Sequence, residues 1–131
     1  MKRNRCKSIV VVSALCVLCI AVTLCRAGEV QKAERIVSNN LLAATEQNDY
    51  EAFLKDATAE VKAALTKQML EGVSAQVAPH MKKGYEVAYL GNLTQAGCEV
   101  HLWKVTYQDG HDDTLARLVL KGRNVAGFWL Q

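Results

Sequence analysis

The fold is decided by residues 98–121, which read CEVHLWKVTYQDGHDDTLARLVLK. Asp109-Gly110 is a strong hairpin signal, because both residue types tolerate the positive φ angles of a tight turn. The segments on either side alternate between apolar and polar residues with a period of two, which is typical of strands. With a two-residue loop, Gln108 pairs with His111, and the segments 98–108 and 114–121 form an antiparallel hairpin.

This register sorts the side chains of the hairpin onto two faces, because paired residues share a face. The more apolar face, predicted to be the core, holds His101, Trp103, Val105, Tyr107, Ala116, Leu118 and Leu120. The other face mixes apolar with basic groups and holds Val100, Leu102, Lys104, Leu115, Arg117, Val119 and Lys121. A slip of one residue would exchange the two faces.

Two further strands are predicted at about residues 85–93 and 125–130, on either side of this hairpin. The first follows Gly84, where the period of the apolar pattern changes to two, and the last follows a turn at residues 122–124. Connections this short join antiparallel neighbours, so the four strands are predicted to form a meander.

The chain before Pro79 is predicted to form three helices. The first covers about residues 29–47, and Asn48 caps a short second helix, with Glu51 three positions later as in a capping box. Thr58 caps a third helix, which Pro79 ends and which Gly72 is able to interrupt. Its apolar stripe is predicted to be Val61, Leu65, Met69, Val73 and Val77. The fold class is therefore α+β, with three N-terminal helices packed on a curved four-stranded antiparallel meander.

The N-terminus has the pattern of a secretory leader. Basic residues at positions 2–7 precede an apolar run over residues 9–24, and Ala27 ends a small-residue cleavage site. Residues 1–27 are therefore predicted to be a signal peptide, and residues 28–131 a single domain. The apolar run is slightly long for a signal peptide and slightly short for a membrane span, which needs roughly 17–25 residues. An uncleaved anchor over residues 9–24 is therefore the alternative. Both interpretations place the domain outside the cytoplasm, in a periplasm or in the extracellular space.

Removing the leader changes the charge and the cysteine content. The whole chain has 16 Lys and Arg against 13 Asp and Glu, and five of the basic residues precede Gly28. The domain therefore keeps 11 basic against 13 acidic residues, a net charge of −2, which argues against binding to nucleic acid. Only Cys98 remains outside the leader, so the domain is not stapled by internal disulfides. The alternatives for Cys98 are a small strand residue and an intermolecular disulfide.

Several segments resemble the nuclear transport factor 2-like superfamily, which has a cystatin-like α+β cone. The resemblance rests on residues 48–53 at the start of the second helix, on Leu65-Thr66 and on Gly84. It covers most of residues 29–131 and implies a domain like the small extracytoplasmic members of unknown function. Enzymes of the superfamily place acidic, His or Tyr groups inside the cone, and none of their catalytic residues matches a position in this chain.

The candidate ligand-binding residues are His101, Trp103 and Tyr107, which share the predicted inner face. An imidazole among aromatic rings is able to orient a ligand or to act as a general base, and the alternative is a structural histidine with one hydrogen-bond partner. His111-Asp112-Asp113 has metal-ligand side chains, but solvated polar residues are expected after a turn, so no metal or cofactor is predicted. A cystatin-like inhibitor is disfavoured, because residues 95–97 lack the valine of its binding loop.

The predicted function is an exported, non-enzymatic binding or interaction module for a small apolar ligand or a partner protein. The alternative is a small lyase- or isomerase-type enzyme with a pocket around His101. The opposite face of the sheet has no segment left to cover it, so it is predicted to form a homodimer interface. The residues predicted for that interface are Val100, Leu102, Arg117 and Val119. The membrane is expected as a partner only through an uncleaved leader.

Overall fold

The computed structural model describes residue 28, residues 31–33 and residues 35–131. The predicted signal peptide or anchor, residues 1–27, and the predicted start of the first helix at Glu29 lie outside the described residues. The chain divides into two units, 1–33 and 34–131, and all the elements named below belong to the second. In the described part of the chain, no helix is long and apolar enough to cross a membrane.

The second unit is an α+β fold of helices packed against one four-stranded antiparallel sheet, as predicted. Helix α1 is π-helical over Ile36–Leu42 and α-helical over Ala43–Gln47. The remaining helices are α2 (Tyr50–Leu54), α3 (Ala59–Ala64) and α4 (Lys67–Met81). The strands are β1 (Tyr85–Gln95), β2 (Cys98–Tyr107), β3 (Thr114–Lys121) and β4 (Asn124–Leu130).

The sheet has the order β1-β2-β3-β4, so the prediction of a meander is confirmed. Trp103 lies opposite Ala116, and His101 lies opposite Leu118, as the hairpin register predicts. The prediction of a two-residue loop is wrong, because the β2–β3 ladder ends at Val105 and Thr114. Strand β2 stays paired with β1 as far as Tyr107, and residues 108–113 form the loop. The Asp109 carboxylate in this loop accepts hydrogen bonds from three groups described below.

The boundary between α1 and α2 differs from the prediction. Asn48 does not cap α2: it ends α1 in the left-handed conformation, with φ 53° and ψ 40°. Asn tolerates this conformation better than most residues, so it is a common helix terminator. The N-cap of α2 is Asp49, whose Oδ1 accepts a hydrogen bond from the Ala52 N–H at 3.0 Å.

The predicted third helix is two helices, because the chain breaks at Leu65-Thr66 and not at Gly72. The Leu65 carbonyl, left free by the break, accepts a hydrogen bond from the Tyr50 hydroxyl at 2.7 Å. Thr66 then caps α4, and its hydroxyl accepts from the Met69 N–H at 3.2 Å. Pro79 does not end α4, which continues to Met81. The proline lies in the last turn of the helix, where its missing N–H removes few of the backbone hydrogen bonds.

Because the chain breaks before Lys67, the residues of α4 no longer continue the helical periodicity of α3. The predicted apolar stripe is therefore wrong for α4. The buried face consists of Leu70, Ser74, Ala78 and Met81, whereas Met69 and Val73 are 56% and 42% exposed. The core of the unit lies between the helices and the inner face of the sheet. All seven residues predicted for that face are buried, and α1 contributes Val37, Leu41 and Leu42 to the same core.

Candidate functional site

An aromatic cluster occupies the inner face of the sheet where β1 meets β2. It consists of Tyr89, His101 and Trp103 and is called the inner cluster. The His101 and Trp103 rings stack with centroids 5.7 Å apart and an interplanar angle of 25°. Tyr89 covers both rings, with its centroid 6.2 Å from His101 and 5.4 Å from Trp103. The structure thus brings together two of the three predicted ligand-binding residues and adds Tyr89.

The polar atoms of the inner cluster are weakly paired. The Tyr89 hydroxyl lies 3.4 Å from His101 Nδ1, and Glu99 Oε2 lies 3.5 Å from His101 Nε2. In the part of the chain that the structure describes, His101 Nε2 and Trp103 Nε1 are buried without a hydrogen-bond partner. Partial burial, together with the negative charge of Glu99, raises the pKa of the Tyr89 phenol. Glu99 partly compensates His101 Nε2, whereas the unpaired indole N–H of Trp103 lowers stability by about 1–3 kcal/mol.

The inner cluster is closed to solvent except at Tyr89. His101 is 0% and Trp103 is 1% exposed, whereas Tyr89 is 36% exposed. Two surface grooves lie elsewhere, beside the C-terminal end of α1, and His101 lines neither of them. They share Gln47, Asn48 and Glu71. A solute would have to displace a covering side chain, Tyr89 on the Nδ1 side or Glu99 on the Nε2 side, to reach the imidazole.

Tyr107, the third predicted ligand-binding residue, belongs to a different group of side chains. Its hydroxyl donates a hydrogen bond to Thr114 Oγ1 at 3.0 Å. Its ring lies 5.8 Å from the His80 ring and 5.5 Å from the His111 ring. The structure therefore does not bring Tyr107 together with the inner cluster, although all three predicted residues share one face of β2.

The Tyr107 group links the end of α4 to the β2–β3 loop through Asp109. Asp109 Oδ2 accepts from His80 Nδ1 at 2.8 Å and from Lys83 Nζ at 3.1 Å, and Oδ1 accepts from the His111 N–H at 3.1 Å. The hydrogen bond from His80, followed by that from the His111 backbone, holds the pKa of Asp109 far below its usual range. His80 was not predicted to contact this loop, because 29 residues separate it from Asp109 and no local pattern joins them.

The His80 and His111 rings stack with centroids 3.8 Å apart and an interplanar angle of 11°. Parallel stacked rings do not converge on a shared metal ion. Among the described residues, no group of three or more His, Cys, Asp or Glu side chains is placed to hold one. This group of side chains fastens the β2–β3 loop to α4.

The opposite face of the sheet, called the outer face, contains the residues predicted for an interface. Val100 is buried at 2% exposure, whereas Leu102, Arg117 and Val119 are half-buried. Arg117 lies over the Trp129 ring, with Cζ 5.4 Å from the centroid, and Nη2 donates a hydrogen bond to Gln95 Oε1 at 3.0 Å. The basic group nearest the centre of the face is therefore already stacked and hydrogen-bonded.

Exposed apolar side chains of the edge strands, Leu93 and Trp129 among them, flank these residues. Leu93 on β1 is 46% exposed, and Trp129 on β4 is 48% exposed. The pairing defines two rows across the outer face: Leu93, Val100, Val119 and Gly127, and beside it Gly91, Leu102, Arg117 and Trp129. Sequence reasoning missed Leu93 and Trp129, because only the two central strands had a turn that fixed their faces.

Comparisons with known proteins identify no family for this chain. It matches no protein-family model, no curated protein and no solved structure. The resemblance to nuclear transport factor 2-like domains therefore stays a prediction from the sequence. The function has to be inferred from the two faces of the sheet.

Proposed function

We propose that the domain is a non-enzymatic interaction module and that its binding surface is the outer face of the sheet. The observation that supports this proposal is the contrast between the two faces. The inner face is filled, since His101, Trp103 and Leu118 are at most 1% exposed. The outer face presents Leu93 and Trp129, each nearly half exposed. A filled interior favours a protein partner over a small apolar ligand.

The composition of the outer face also suits protein binding. Trp and Arg are the residue types most enriched among side chains that dominate binding energy. Here Arg117 and Trp129 stack on each other, which reduces the side-chain entropy that either would lose on binding. Lys104 at the rim is neutralised by Asp113, with Nζ 3.4 Å from Oδ2. The surface thus combines exposed apolar side chains with charged groups that already have partners within the chain.

The second candidate is a small lyase- or isomerase-type enzyme that uses the inner cluster. Tyr89 and Glu99 favour it, because both lie within 3.5 Å of the His101 ring nitrogens. A general base must come within about 2.6–3.2 Å of the proton that it abstracts. A buried imidazole meets that condition only after one of these covering side chains moves away.

Chemical modification of the three histidines separates these two functions. Diethyl pyrocarbonate followed by peptide mass spectrometry is expected to label His111, which is exposed, and to spare His101. His111 serves as the internal control for reagent activity. Labelling of His101 at a rate similar to that of His111 would instead support an accessible site and the enzyme.

A photo-reactive residue on the outer face tests the interaction module directly. Benzoylphenylalanine replaces Trp129 in one variant and Met69 on α4, which is 56% exposed, in the matched control. Irradiation of the exporting cells is expected to give a defined adduct from position 129, which Leu102→Lys abolishes, and none from position 69. Equal labelling at both positions, or no adduct at 129, would contradict the proposal.

We also propose that the module is exported, on the basis of the basic and apolar pattern of residues 2–24. The full chain, expressed with its own leader, is expected to yield a product outside the cytoplasm that begins at or near Gly28. N-terminal mass spectrometry measures this. An intact Met1 on a membrane-bound product would establish the anchor, and a product retained in the cytoplasm would refute export.

A further inference from the structure

We infer that the partner of the outer face is a second copy of this chain, packed face to face about a two-fold axis parallel to the strands. This inference rests on the proposed function, because it names the occupant of the same surface. Rotation about such an axis reverses the order of the strands across the interface. Each of the two rows of the outer face then lies opposite the same row of the second copy. Strand β1 then faces β4 of the second copy, and β2 faces β3.

The sizes of the side chains match in this arrangement. Trp129 would face Gly91 of the second copy, where a Cβ atom would meet no neighbour within 4 Å and the surface is open. Leu93 would face Gly127, whose space is already filled by the ring of Trp129 of its own chain. Leu93 would therefore pack on the Trp129 ring of the second copy. Leu93 and Trp129 thus each meet a complementary surface.

The same pairing removes the repulsion that a symmetric contact between basic faces would otherwise create. Val100 would face Val119 of the second copy, and Leu102 would face Arg117. The guanidinium is already stacked on Trp129 and bonded to Gln95, so the Arg117 stem is available to cover an apolar residue. Lys104 would face Leu115, because these two residues are partners across β2 and β3. No basic residue of β2 or β3 meets its own counterpart.

The size of the face sets the expected strength of the dimer. Four strands about 4.8 Å apart, each with about seven residues of 3.4 Å, present a face of roughly 450 Å². This is little more than half of the roughly 800 Å² that each partner buries in a standard interface. Interfaces of this size are weak, so we expect the dimer to form only at micromolar or higher concentrations.

Sedimentation velocity of the purified, processed protein from about 1 to 500 µM tests the dimer. The weight-average mass is expected to rise from that of a monomer to that of a dimer across this range. Leu102→Lys, in the middle of the face, is expected to weaken association at least tenfold, and Met69→Lys on α4 is the matched control. Should Leu102→Lys fail to fold by circular dichroism, Trp129→Lys takes its place.

Thiol cross-linking tests the direction of the axis. In a Cys98→Ser background, chains with Leu93→Cys and chains with Trp129→Cys are mixed and treated with a short bis-maleimide. The mixed dimer is expected to exceed either homodimer, because β1 faces β4 of the second copy. Homodimers of the Leu93→Cys chain in excess would overturn the proposed axis.

The outcomes separate this inference from the proposed function. A monomer at every concentration, or a dimer that Leu102→Lys and Trp129→Lys leave intact, overturns the self-association. If position 129 still cross-links to a different protein in the exporting cells and Leu102→Lys abolishes that adduct, the interaction module stands without the dimer. If the protein is monomeric and position 129 gives no adduct, both proposals fail.

Discussion

Replacement of Trp103 by alanine tests the assignment of the two faces most directly. Trp103 is 1% exposed and packs against the rings of both Tyr89 and His101 on the inner face. If the faces were exchanged, the same side chain would project from the outer face into solvent. The stability of Trp103→Ala therefore distinguishes the two arrangements.

The expected loss of unfolding free energy in Trp103→Ala combines two opposing contributions. A buried tryptophan removes about 200 Å² of mostly apolar surface from water, which at about 25 cal/mol/Å² stabilises the fold by about 5 kcal/mol. The indole N–H has no hydrogen-bond partner among the described residues, and removing it restores about 1–3 kcal/mol. The net loss is about 3 kcal/mol, at the lower end of the range of about 3–5 kcal/mol for large aromatic-to-alanine changes.

Urea denaturation followed by far-UV circular dichroism measures this loss. With a slope of about 1–3 kcal/mol per molar urea, the midpoint is expected to fall by about 1–3 M. Trp103→Phe, which keeps an aromatic ring but lacks the unpaired N–H, is expected to lose about 1 kcal/mol or less. Met69→Ala, at a 56% exposed position, is the control and should change stability by less than about 0.5 kcal/mol.

Two results would refute the reasoning. A loss under about 1 kcal/mol for Trp103→Ala would mean that the side chain does not lie in the core. A Trp103→Phe variant that is as unstable as the alanine variant would mean that the indole N–H has a partner that stabilises the fold.

Three further predictions follow from individual residues. Ala96 has φ 51° in the turn between β1 and β2, before Gly97 at φ 75°. Asparagine tolerates this left-handed conformation better than alanine, so Ala96→Asn is expected to stabilise the fold by about 1 kcal/mol in thermal denaturation. An unchanged or lower Tm would contradict this prediction. The pKa of Asp109 is lowered in the folded protein, so its ionised form contributes stability that is complete above its ordinary pKa of 3.8 and is lost as the pH falls further. Asp109→Asn should therefore lower stability most near neutral pH and progressively less towards about pH 2, with Asp112→Asn as the exposed control; an effect that is constant with pH would refute this. A Cβ atom at Gly127 would overlap the Trp129 ring, so Gly127→Ala is expected to displace that ring and to shift tryptophan fluorescence emission to longer wavelength. Gly72→Ala is the control, because a Cβ atom there meets nothing within 4 Å, and its emission should not change. Equal emission from the two variants would contradict the packing of Trp129.

The sequence determined the sheet and its two faces. Side chains alternate across a strand with a period of two, and centring the hairpin on Asp109-Gly110 predicts the pairing of Trp103 with Ala116 that the structure shows, although the two-residue turn itself does not form. These are local rules, since they depend on neighbours along the chain and on one turn. They predict the strands at about their observed bounds and the correct core face.

The loop and the helix boundaries depend on contacts that the sequence does not reveal. The Asp109 carboxylate binds His80, which lies 29 residues earlier, and the loop leaves the sheet where a two-residue turn was expected. The Tyr50 hydroxyl bonds the Leu65 carbonyl exposed by the break after α3, 15 residues away. Patterns in the sequence give no distance between such residues, so the predicted third helix was not divided at Leu65.

The candidate sites were only partly predictable for the same reason. His101 and Trp103 follow from the alternation of β2, but Tyr89 joins them through the pairing of β1, whose register shifts between Tyr89 and Gly91. Trp129 packs over Gly127 and beneath Arg117, a grouping that depends on the pairing of β3 with β4. The sequence thus determined which side chains each central strand directs to each face. Only the tertiary structure decided which of them are covered and which remain exposed, because burial depends on atoms from distant segments.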